Sequence, residues 1–220
     1  MPRLTLECQA VLFDVDGVLV DSRAVVERIW EFWAARHGLD PRGIVQRAHG
    51  RRTIETIRAL APHLDADAEK AWLESAELQD TADLVALPGA AAVLAAVPDP
   101  RRALVTSGGR ALALTRMRAA ELPVPSVLVA AEDVEHGKPA PDCYALAARR
   151  VGRGASECVV VEDTPAGVAA GRAAGARVIA LTTTFPASDL HEASVIVGAT
   201  LAGLRITREA GCIRIEVADG

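Results

Sequence analysis

The stretch AVLFDVDGVLVDS, residues 10–22, changes abruptly from apolar to acidic side chains. Its first four residues predict a buried strand of a parallel sheet. Asp14 and Asp16 follow directly, and then Gly17. Two carboxylates are costly to place in a core, and open α/β sheets bind their ligands at the carboxyl ends of the strands. The stretch therefore predicts a metal and a phosphate at one edge of a sheet.

The Asp-x-Asp-Gly sequence has two simpler interpretations. It can form an ordinary turn, since Asp and Gly both favour turns. It can also begin a calcium loop, but such a loop has Gly at its sixth position and Glu at its twelfth. Here Gly17 is fourth and Val25 is twelfth, which argues against calcium. The choice between a turn and a catalytic site depends on the rest of the chain.

Composition and charge exclude several classes of function. The chain has 220 residues, 50% of them hydrophobic, and a net charge of −5. It is long enough for one large core and a small second domain, and too apolar to be disordered. It has no basic run for nucleic acid, no apolar stretch of membrane-spanning length and no signal peptide. Its four cysteines form no C-x-x-C pair, which favours reduced thiols, and we expect a cytoplasmic monomer.

Residues 22–84 have the pattern of a small, all-helical domain that contains all three tryptophans. Helical spacing starts near Val25 and ends at Gly38, and it predicts further helices over 53–61 and 67–79. The inward face of the last helix is predicted to contain Ala68, Ala71, Trp72, Ser75 and Leu78.

From residue 85 onwards, short apolar strands alternate with amphipathic helices. This alternation indicates β-α-β crossovers and a parallel sheet covered on both faces. We therefore predict a doubly wound, Rossmann-like α/β core formed by residues 1–21 and 85–220, with residues 22–84 inserted as a small helical domain. The predicted strands cover 102–106, 126–130, 158–161, 177–181 and, as short edge strands, 195–197 and 213–217.

Polar groups follow two of these later strands in the same way. Thr106, Ser107 and Gly108 place a hydroxyl and backbone N–H groups at a helix start, an arrangement that binds anions. Lys138 lies in the stiff, proline-rich loop 137–142, where a fixed ammonium suits phosphate oxygens. A plain helix cap and an ordinary surface lysine remain the alternatives for these two segments.

Glu162 and Asp163 end another predicted strand, just before Thr164 and Pro165. A Thr cap followed by Pro starts a helix without two acids, but Mg²⁺ needs such acids because it binds carboxylates, water and substrate phosphate. The acids also favour a helix N-terminus, although this is worth only ~0.3–1 kcal/mol. One sheet edge is therefore predicted to hold Asp14, Asp16, Thr106, Lys138, Glu162 and Asp163.

Four segments together resemble the four motifs of the haloacid dehalogenase superfamily, in that family's order and approximate spacing. The insertion at 22–84 resembles the cap of the subclass that carries its cap after the first motif. The resemblance covers nearly the whole chain. The segments are FDVDGVLVDS (13–22), VTSG (105–108), GKPAPD (137–142) and VEDTPAG (161–167).

The resemblance implies a hydrolase that forms an aspartyl-phosphate. Asp14 matches the nucleophile, and Asp16 matches the general acid/base that protonates the leaving oxygen and then activates water. Thr106 and Lys138 match the phosphate-binding hydroxyl and cation. The chemistry agrees, since a carboxylate that attacks a phosphate dianion needs positive charge nearby. Haloacid dehalogenases themselves lack the second aspartate, so Asp16 favours phosphoryl transfer.

The resemblance also implies a Mg²⁺ cofactor. Asp14, the backbone carbonyl of Asp16 and Asp163 match the metal ligands, with Glu162 assisting. Ser107 and Gly108 follow the residue that carries the phosphate-binding hydroxyl in the second motif. We expect both of them to contact the substrate phosphate.

The cap contains a basic turn, HGRRT at 49–53, which faces the active site in this cap type. It resembles segments of sugar and polyol phosphatases such as 2-deoxyglucose-6-phosphatase and glycerol-phosphate phosphatase, and so does LTTTF at 181–185. A solvated helix start is the alternative. The candidate substrate-binding residues of the turn are His49, Gly50, Arg51 and Arg52.

The predicted function is Mg²⁺-dependent hydrolysis of a small sugar or polyol phosphate. The main rival is a β-phosphoglucomutase, but those isomerases carry a histidine where this chain aligns Val26. Phosphoglycolate phosphatase remains open, because cap turns differ by few residues. A phosphonatase would need a cap lysine, and the only one, Lys70, is far from the basic turn in sequence. A non-catalytic sugar-phosphate-binding protein is the last alternative, and no missing motif carboxylate favours it.

Overall fold

The computed structural model describes residues 4–209 and 211–217, and six of its strands form one parallel sheet. In chain order the strands are β1 (Leu4–Cys8), β2 (Ala10–Asp14), β3 (Val20–Asp21), β4 (Val85–Ala86), β5 (Arg102–Val105), β6 (Val127–Val129), β7 (Cys158–Glu162), β8 (Arg177–Leu181), β9 (Val195–Val197), β10 (Leu204–Glu209) and β11 (Cys212–Val217). The α-helices are α1 (Arg23–Arg36), α2 (Ile44–Ala48), α3 (Thr53–Leu60), α4 (Ala66–Gln79), α5 (Ala90–Ala96), α6 (Arg110–Ala119), α7 (Asp142–Arg150) and α8 (Pro165–Ala173). The parallel sheet has the order β6-β5-β2-β7-β8-β9.

The apolar run of the opening stretch lies inside this sheet. All five residues of β2 are buried, and β2 pairs in parallel with β5 on one side and β7 on the other. Val11 and Phe13 face a core that includes α5 and α6, whereas Ala10 and Leu12 face a second core that includes α7 and α8. A strand covered on both faces must be apolar throughout. The predicted doubly wound α/β fold is confirmed.

The helical insertion leaves and re-enters the core through two paired strands. β3 and β4 are antiparallel, with Val20 opposite Ala86. Within residues 22–84, all of which the structure describes, four helices form rather than the predicted three. The additional helix is α2, a single short turn of five residues after Gly43, and its length explains why periodicity does not indicate it.

The predicted inward face of α4 is wrong. Leu73 is fully buried and Glu77 is 5% exposed, and neither belongs to the predicted face. Charged residues do not count towards an apolar stripe, so hydrophobic periodicity selects a different face. Glu77 lies inside because the guanidinium of Arg116, on α6, is 2.6 Å from its carboxylate. The predicted residues that turn out to be exposed are Ala68, Ala71, Ser75 and Leu78.

A second, antiparallel sheet brings β1 together with the last two strands. Its order is β1-β11-β10, so residues 213–217 belong to a middle strand and their prediction as an edge strand is wrong. The other predicted edge strand, β9, does lie at the edge of the parallel sheet. Ile213 and Ile215 are fully buried and extend the principal core. Their alternation with charged residues predicts a strand. Its partner β10 immediately precedes it, but its second partner, β1, is distant in sequence, and this second pairing makes β11 a middle strand.

We predict that Ile215→Ala lowers the free energy of unfolding by about 2–4 kcal/mol, because it leaves a cavity in the core. Urea denaturation measures the change. Arg205→Ala in β10 is the control, since the Arg205 side chain is 71% exposed. Its effect should stay below about 0.5 kcal/mol. Equal effects of the two substitutions would contradict a role of the second sheet in the core.

Candidate active site

The register of the parallel sheet brings polar strand ends together. Asp14, the last residue of β2, pairs with the last residue of β5, after which Thr106 follows. The preceding residue, Phe13, pairs with Val161 of β7, one residue before Glu162. Because parallel strands end at the same edge, these three polar side chains share one edge of the sheet.

A buried lysine joins two of these strand ends. Lys138 is 1% exposed; its ammonium contacts a carboxylate oxygen of Asp14 and lies 2.6 Å from Oε1 of Glu162. The hydroxyl of Tyr144, on α7, donates to the same Oε1 at 2.8 Å. Lys138 is therefore not a surface lysine, and its charge is fixed beside Asp14.

The carboxylate of Glu162 is fully occupied by hydrogen bonds. Its second oxygen, Oε2, accepts from the backbone N–H of Asp163 at 2.8 Å and from the N–H and hydroxyl of Thr164 at 3.0 Å. A carboxylate has about four lone-pair sites. The donors from Asp163 and Thr164, together with Lys138 and Tyr144, are enough to occupy all of them. The geometry fits Glu162 as the residue that positions Lys138 and the start of α8, rather than as a direct metal ligand.

Asp163 has a buried oxygen that lacks a partner. Its Oδ2 accepts from the hydroxyls of Thr183, at 3.3 Å, and Thr184, whereas its Oδ1 is buried without a hydrogen bond from any described residue. Such an oxygen is costly unless a cation or a proton is present. Oxygens of Asp14, Glu162 and Asp163 lie within 4.8 Å of one another. Because Glu162 is already saturated, Asp14 and Asp163 are the residues that fit a divalent cation.

Gly17 allows the loop after β2 to approach this acid. Its φ is +75°, in the left-handed region that favours glycine. A Cβ atom at this position would overlap the carboxylate of Asp163. The Asp-x-Asp-Gly sequence therefore needs its glycine for close approach as well as for the turn.

Burial makes two of these acids difficult to ionise. It raises the pKa of Asp14 well above its ordinary value, and the Lys138 ammonium only partly opposes this. Burial, and then the neighbouring Glu162, raise the pKa of Asp163 to about 8. Burial also acts against the charge of Glu162, but Lys138 outweighs it and lowers the pKa of that carboxyl. Asp14 and Asp163 therefore retain a proton more readily than Glu162 does, and a bound cation would favour their ionised forms.

Asp16 is held by donors from two other parts of the chain. Ser22 donates its hydroxyl to Oδ1 at 2.7 Å, and the guanidinium of Arg116 lies 2.7 Å from Oδ2. The same guanidinium lies 2.6 Å from Glu77 of α4. Burial raises the pKa of Glu77, and Arg116 opposes the rise. These ion pairs connect the opening stretch to the core helix α6 and to the helical insertion.

A cavity of about 60 Å³ separates the insertion from this sheet edge. Lys138 and Glu162 do not line it, and Lys138 reaches it only through its contact with Asp14. The predicted basic turn and the predicted acids therefore share one cavity. The predicted residues that line it are Asp14, Asp16, Thr106, Ser107, Gly108 and Asp163 from the core and His49, Gly50 and Arg51 from the insertion.

The basic turn packs directly on the core. The hydroxyl of Ser107 donates to the backbone carbonyl of Gly50 at 2.9 Å. Gly50 has a φ of +74°, and a Cβ there would overlap the side chain of Thr164 at the start of α8. A glycine at this position therefore lets the turn reach Ser107 and the start of α8.

The structure does not bring Arg52 to this cavity. Its guanidinium donates to the backbone carbonyls of Glu135 and Ala131, both at 2.8 Å, and to that of Val134. In place of the predicted substrate contact, Arg52 holds the insertion against a core loop. Adjacent residues at a helix start point in different directions, so the Arg-Arg sequence alone does not reveal that Arg51 faces the cavity.

Comparison with known sequences identifies the family. A family model described as haloacid dehalogenase-like hydrolase matches residues 8–175. The chain belongs to the haloacid dehalogenase-like hydrolases. The family resemblance of the four motifs is thereby confirmed.

Two curated relatives of this haloacid dehalogenase-like hydrolase are similar over most of its length. Hexitol phosphatase A from Escherichia coli (strain K12) is 44% identical over 199 residues, which cover 87% of this chain and 91% of the relative. Glycerol-1-phosphate phosphohydrolase 2 from Saccharomyces cerevisiae (strain ATCC 204508 / S288c) is 32% identical over 204 residues, with coverages of 86% and 80%. A solved hydrolase from Pseudomonas syringae has the same fold, with a TM-score of 0.77 at 24% identity and coverages of 86% and 93%. None of the helices in residues 4–209 and 211–217 has the length and apolar character to cross a membrane.

Several site residues of this haloacid dehalogenase-like hydrolase lie outside the motif positions singled out from the sequence. Most of them lie in ordinary helix or loop sequence, so only the fold reveals them. Ser22 and Thr184 are exceptions, because Ser22 lies within the first motif and Thr184 lies within the LTTTF segment. The missed residues that line the cavity are Ser22, Trp30, Glu77, Leu112 and Arg116, and those that support its acids are Tyr144, Thr183 and Thr184.

We predict that a divalent cation raises the melting temperature of this haloacid dehalogenase-like hydrolase by about 5–10 °C at a hundredfold excess over Kd. The cation relieves the repulsion between Asp14 and Asp163, so Asp163→Asn should lose most of the shift. Differential scanning calorimetry with and without Mg²⁺ measures it. Asp189→Asn, at an exposed position, should retain the shift. Equal shifts in all three proteins would rule out Asp163 as a ligand.

Proposed function

We propose that this haloacid dehalogenase-like hydrolase is a Mg²⁺-dependent phosphatase that hydrolyses a small sugar or polyol phosphate. The observation that carries the proposal is the presence of Asp14 and Asp16 in one cavity wall, with the buried Lys138 ammonium in contact with Asp14. The relatives named hexitol phosphatase A and glycerol-1-phosphate phosphohydrolase 2 support it.

In the first step, a carboxylate oxygen of Asp14 attacks phosphorus while the bond from phosphorus to the ester oxygen breaks. Asp16 gives its proton to the departing oxygen, so that an alcohol leaves and Asp14 carries the phosphoryl group. Lys138 and Thr106 oppose the negative charge of the reacting oxygens. The contact between Lys138 and Asp14 supports this division of roles, because it aims a cation at the attacking group.

In the second step, water attacks the phosphorus of the aspartyl-phosphate. The Asp16 carboxylate takes the proton of that water, the bond from phosphorus to Asp14 breaks, and inorganic phosphate leaves. One ester and one water are consumed, and both aspartates return to their starting states. The two donors on Asp16, Ser22 and Arg116, hold its carboxylate in one orientation for both proton transfers.

Asp14, Asp163 and the backbone carbonyl of Asp16 would hold the Mg²⁺, an all-oxygen set that suits a hard cation. Bound there, Mg²⁺ neutralises phosphate charge and so favours attack by an anionic carboxylate. The unpaired buried Oδ1 of Asp163 supports this ligand set. Glu162 contributes by fixing Lys138.

The cap side of the cavity favours hydrolysis over isomerisation. Val26 lines the cavity, and a valine cannot exchange protons at the position where the phosphoglucomutases have histidine. A second cavity of about 400 Å³ adjoins at His49 and Arg51, and it offers space for the distal part of a longer polyol chain.

We propose that residues 22–84 act as a cap on a core of residues 1–21 and 85–220, with β3 and β4 as the connection. Closure of the cap would exclude water during the first step. We also propose that the protein works as a cytoplasmic monomer. The free, buried thiols of Cys8, Cys143 and Cys158 fit a reducing compartment.

Phosphate release from a panel of phosphorylated metabolites, with and without Mg²⁺, tests the proposed function. We expect Mg²⁺-dependent release from sugar or polyol phosphates, and a loss of about 10³-fold or more in kcat for Asp14→Asn and Asp16→Asn. Asp40→Asn, an exposed acid on the insertion, should keep full activity. Activity retained in both active-site variants would contradict the assigned roles. Conversion of β-glucose 1-phosphate to glucose 6-phosphate, without ester hydrolysis, would favour the mutase.

A further inference from the structure

Glu77 and Arg116 form a buried ion pair that crosses from the insertion to the core. Glu77 lies on α4 and Arg116 on α6, and each is only 5% exposed. The guanidinium nitrogen of Arg116 donates to Oε2 of Glu77 at 2.6 Å. Neither residue has a role in the two-step reaction described above, apart from the contact of Arg116 with Asp16.

Packing alone does not explain why these two positions are charged. Taking two charges out of water is costly, and their mutual attraction compensates for this cost only when the geometry is excellent. Apolar residues of similar volume would hold α4 against α6 at least as well. A buried charged pair that faces an open space is instead well suited to bind a polar ligand.

The pair lies next to the reacting atoms. Glu77 and Arg116 both line the cavity that contains Asp14 and Asp16. Arg116 is 2.7 Å from Oδ2 of Asp16, the group that protonates the ester oxygen. The carbon that carries this oxygen, and the carbon after it, must therefore lie beside Arg116 and Glu77.

We propose that Glu77 and Arg116 form a subsite for the hydroxyl group on the carbon next to the phosphorylated carbon. The Glu77 carboxylate accepts a hydrogen bond from that hydroxyl, and the Arg116 guanidinium donates a hydrogen bond to its oxygen. The inference rests on the proposed phosphatase function and narrows its substrates to polyol or sugar phosphates with a vicinal hydroxyl. A site that binds a hydroxyl through buried polar groups strongly rejects the analogue that lacks it, since those groups stay unpaired.

Other residues of the cavity fit the same substrate. Val26, Trp30 and Leu112 also line it, and their apolar side chains suit the C–H groups of a short carbon chain. The cavity thus combines charged groups, which include the Glu77–Arg116 pair and Arg51 of the basic turn, with an apolar wall. This distribution favours a phosphorylated polyol over a phosphate ester with an apolar leaving group.

The test compares two esters of equal length, glycerol 1-phosphate and propane-1,3-diol monophosphate, which lacks the vicinal hydroxyl. We expect the wild-type kcat/KM for the first to exceed that for the second by about 10- to 100-fold. Glu77→Gln and Glu77→Ala should reduce this ratio towards one, mainly through the glycerol ester. Arg116→Lys should reduce the ratio as well, and should lower kcat for both esters, because a single ammonium cannot replace the two guanidinium nitrogens that contact Asp16 and Glu77.

Because each ratio is measured within one preparation, it does not depend on the fraction of protein that folds. Glu74→Gln is the matched control, one turn earlier on α4, where Glu74 pairs with Lys70 at 2.7 Å. It should keep the wild-type ratio. A wild-type ratio near one, or an unchanged ratio in both Glu77 variants, would refute the subsite while the phosphatase stands. No phosphate release from any ester would refute the phosphatase, and the subsite with it.

Discussion

The Lys138 ammonium between the carboxylates of Asp14 and Glu162 is the interaction on which the rest of the site depends. Without it, neighbouring strands would end in buried acids that repel each other, and the sheet edge would be strongly destabilised. Tyr144 and the start of α8 complete the arrangement by occupying the oxygens of Glu162. One acid, Glu162, is thus saturated with hydrogen bonds, and the two acids that are not, Asp14 and Asp163, are those proposed to bind the cation.

Polar contacts also hold the insertion against the core, in addition to the packing of apolar side chains. Arg52 binds backbone carbonyls of a core loop, and Gly50 accepts from Ser107. Backbone carbonyls do not change with sequence, so these contacts fix the position of the basic turn without specifying the substrate. The substrate contacts proposed above come instead from side chains such as Glu77 and Arg51. The residues that hold the insertion against the core are therefore different from those proposed to bind the substrate.

Sequence reasoning succeeded where the information is local. The apolar run before Asp14 needs no partner to be recognised, because a strand buried on both faces is apolar throughout. It failed at Glu77, whose burial depends on Arg116, 39 residues later in the chain. It failed again for β11, because the pairing that makes β11 a middle strand is with β1, at the other end of the described chain. Pairing between charges or strands that are far apart in the chain depends on the fold. It cannot be recognised within a short window of sequence.

The pairing of β3 with β4 has a consequence for how such a protein can be rebuilt. Val20 and Ala86 lie opposite each other, so the point where the chain leaves the core and the point where it returns are one strand spacing apart. A helical insert of another size or sequence can be exchanged at this ribbon without stretching the sheet. In the proposed function, such an exchange would leave the acids and the lysine of the sheet edge in place and would replace only the surface that meets the leaving group. The proposed reaction and its substrate specificity would then be separable at a single two-stranded junction.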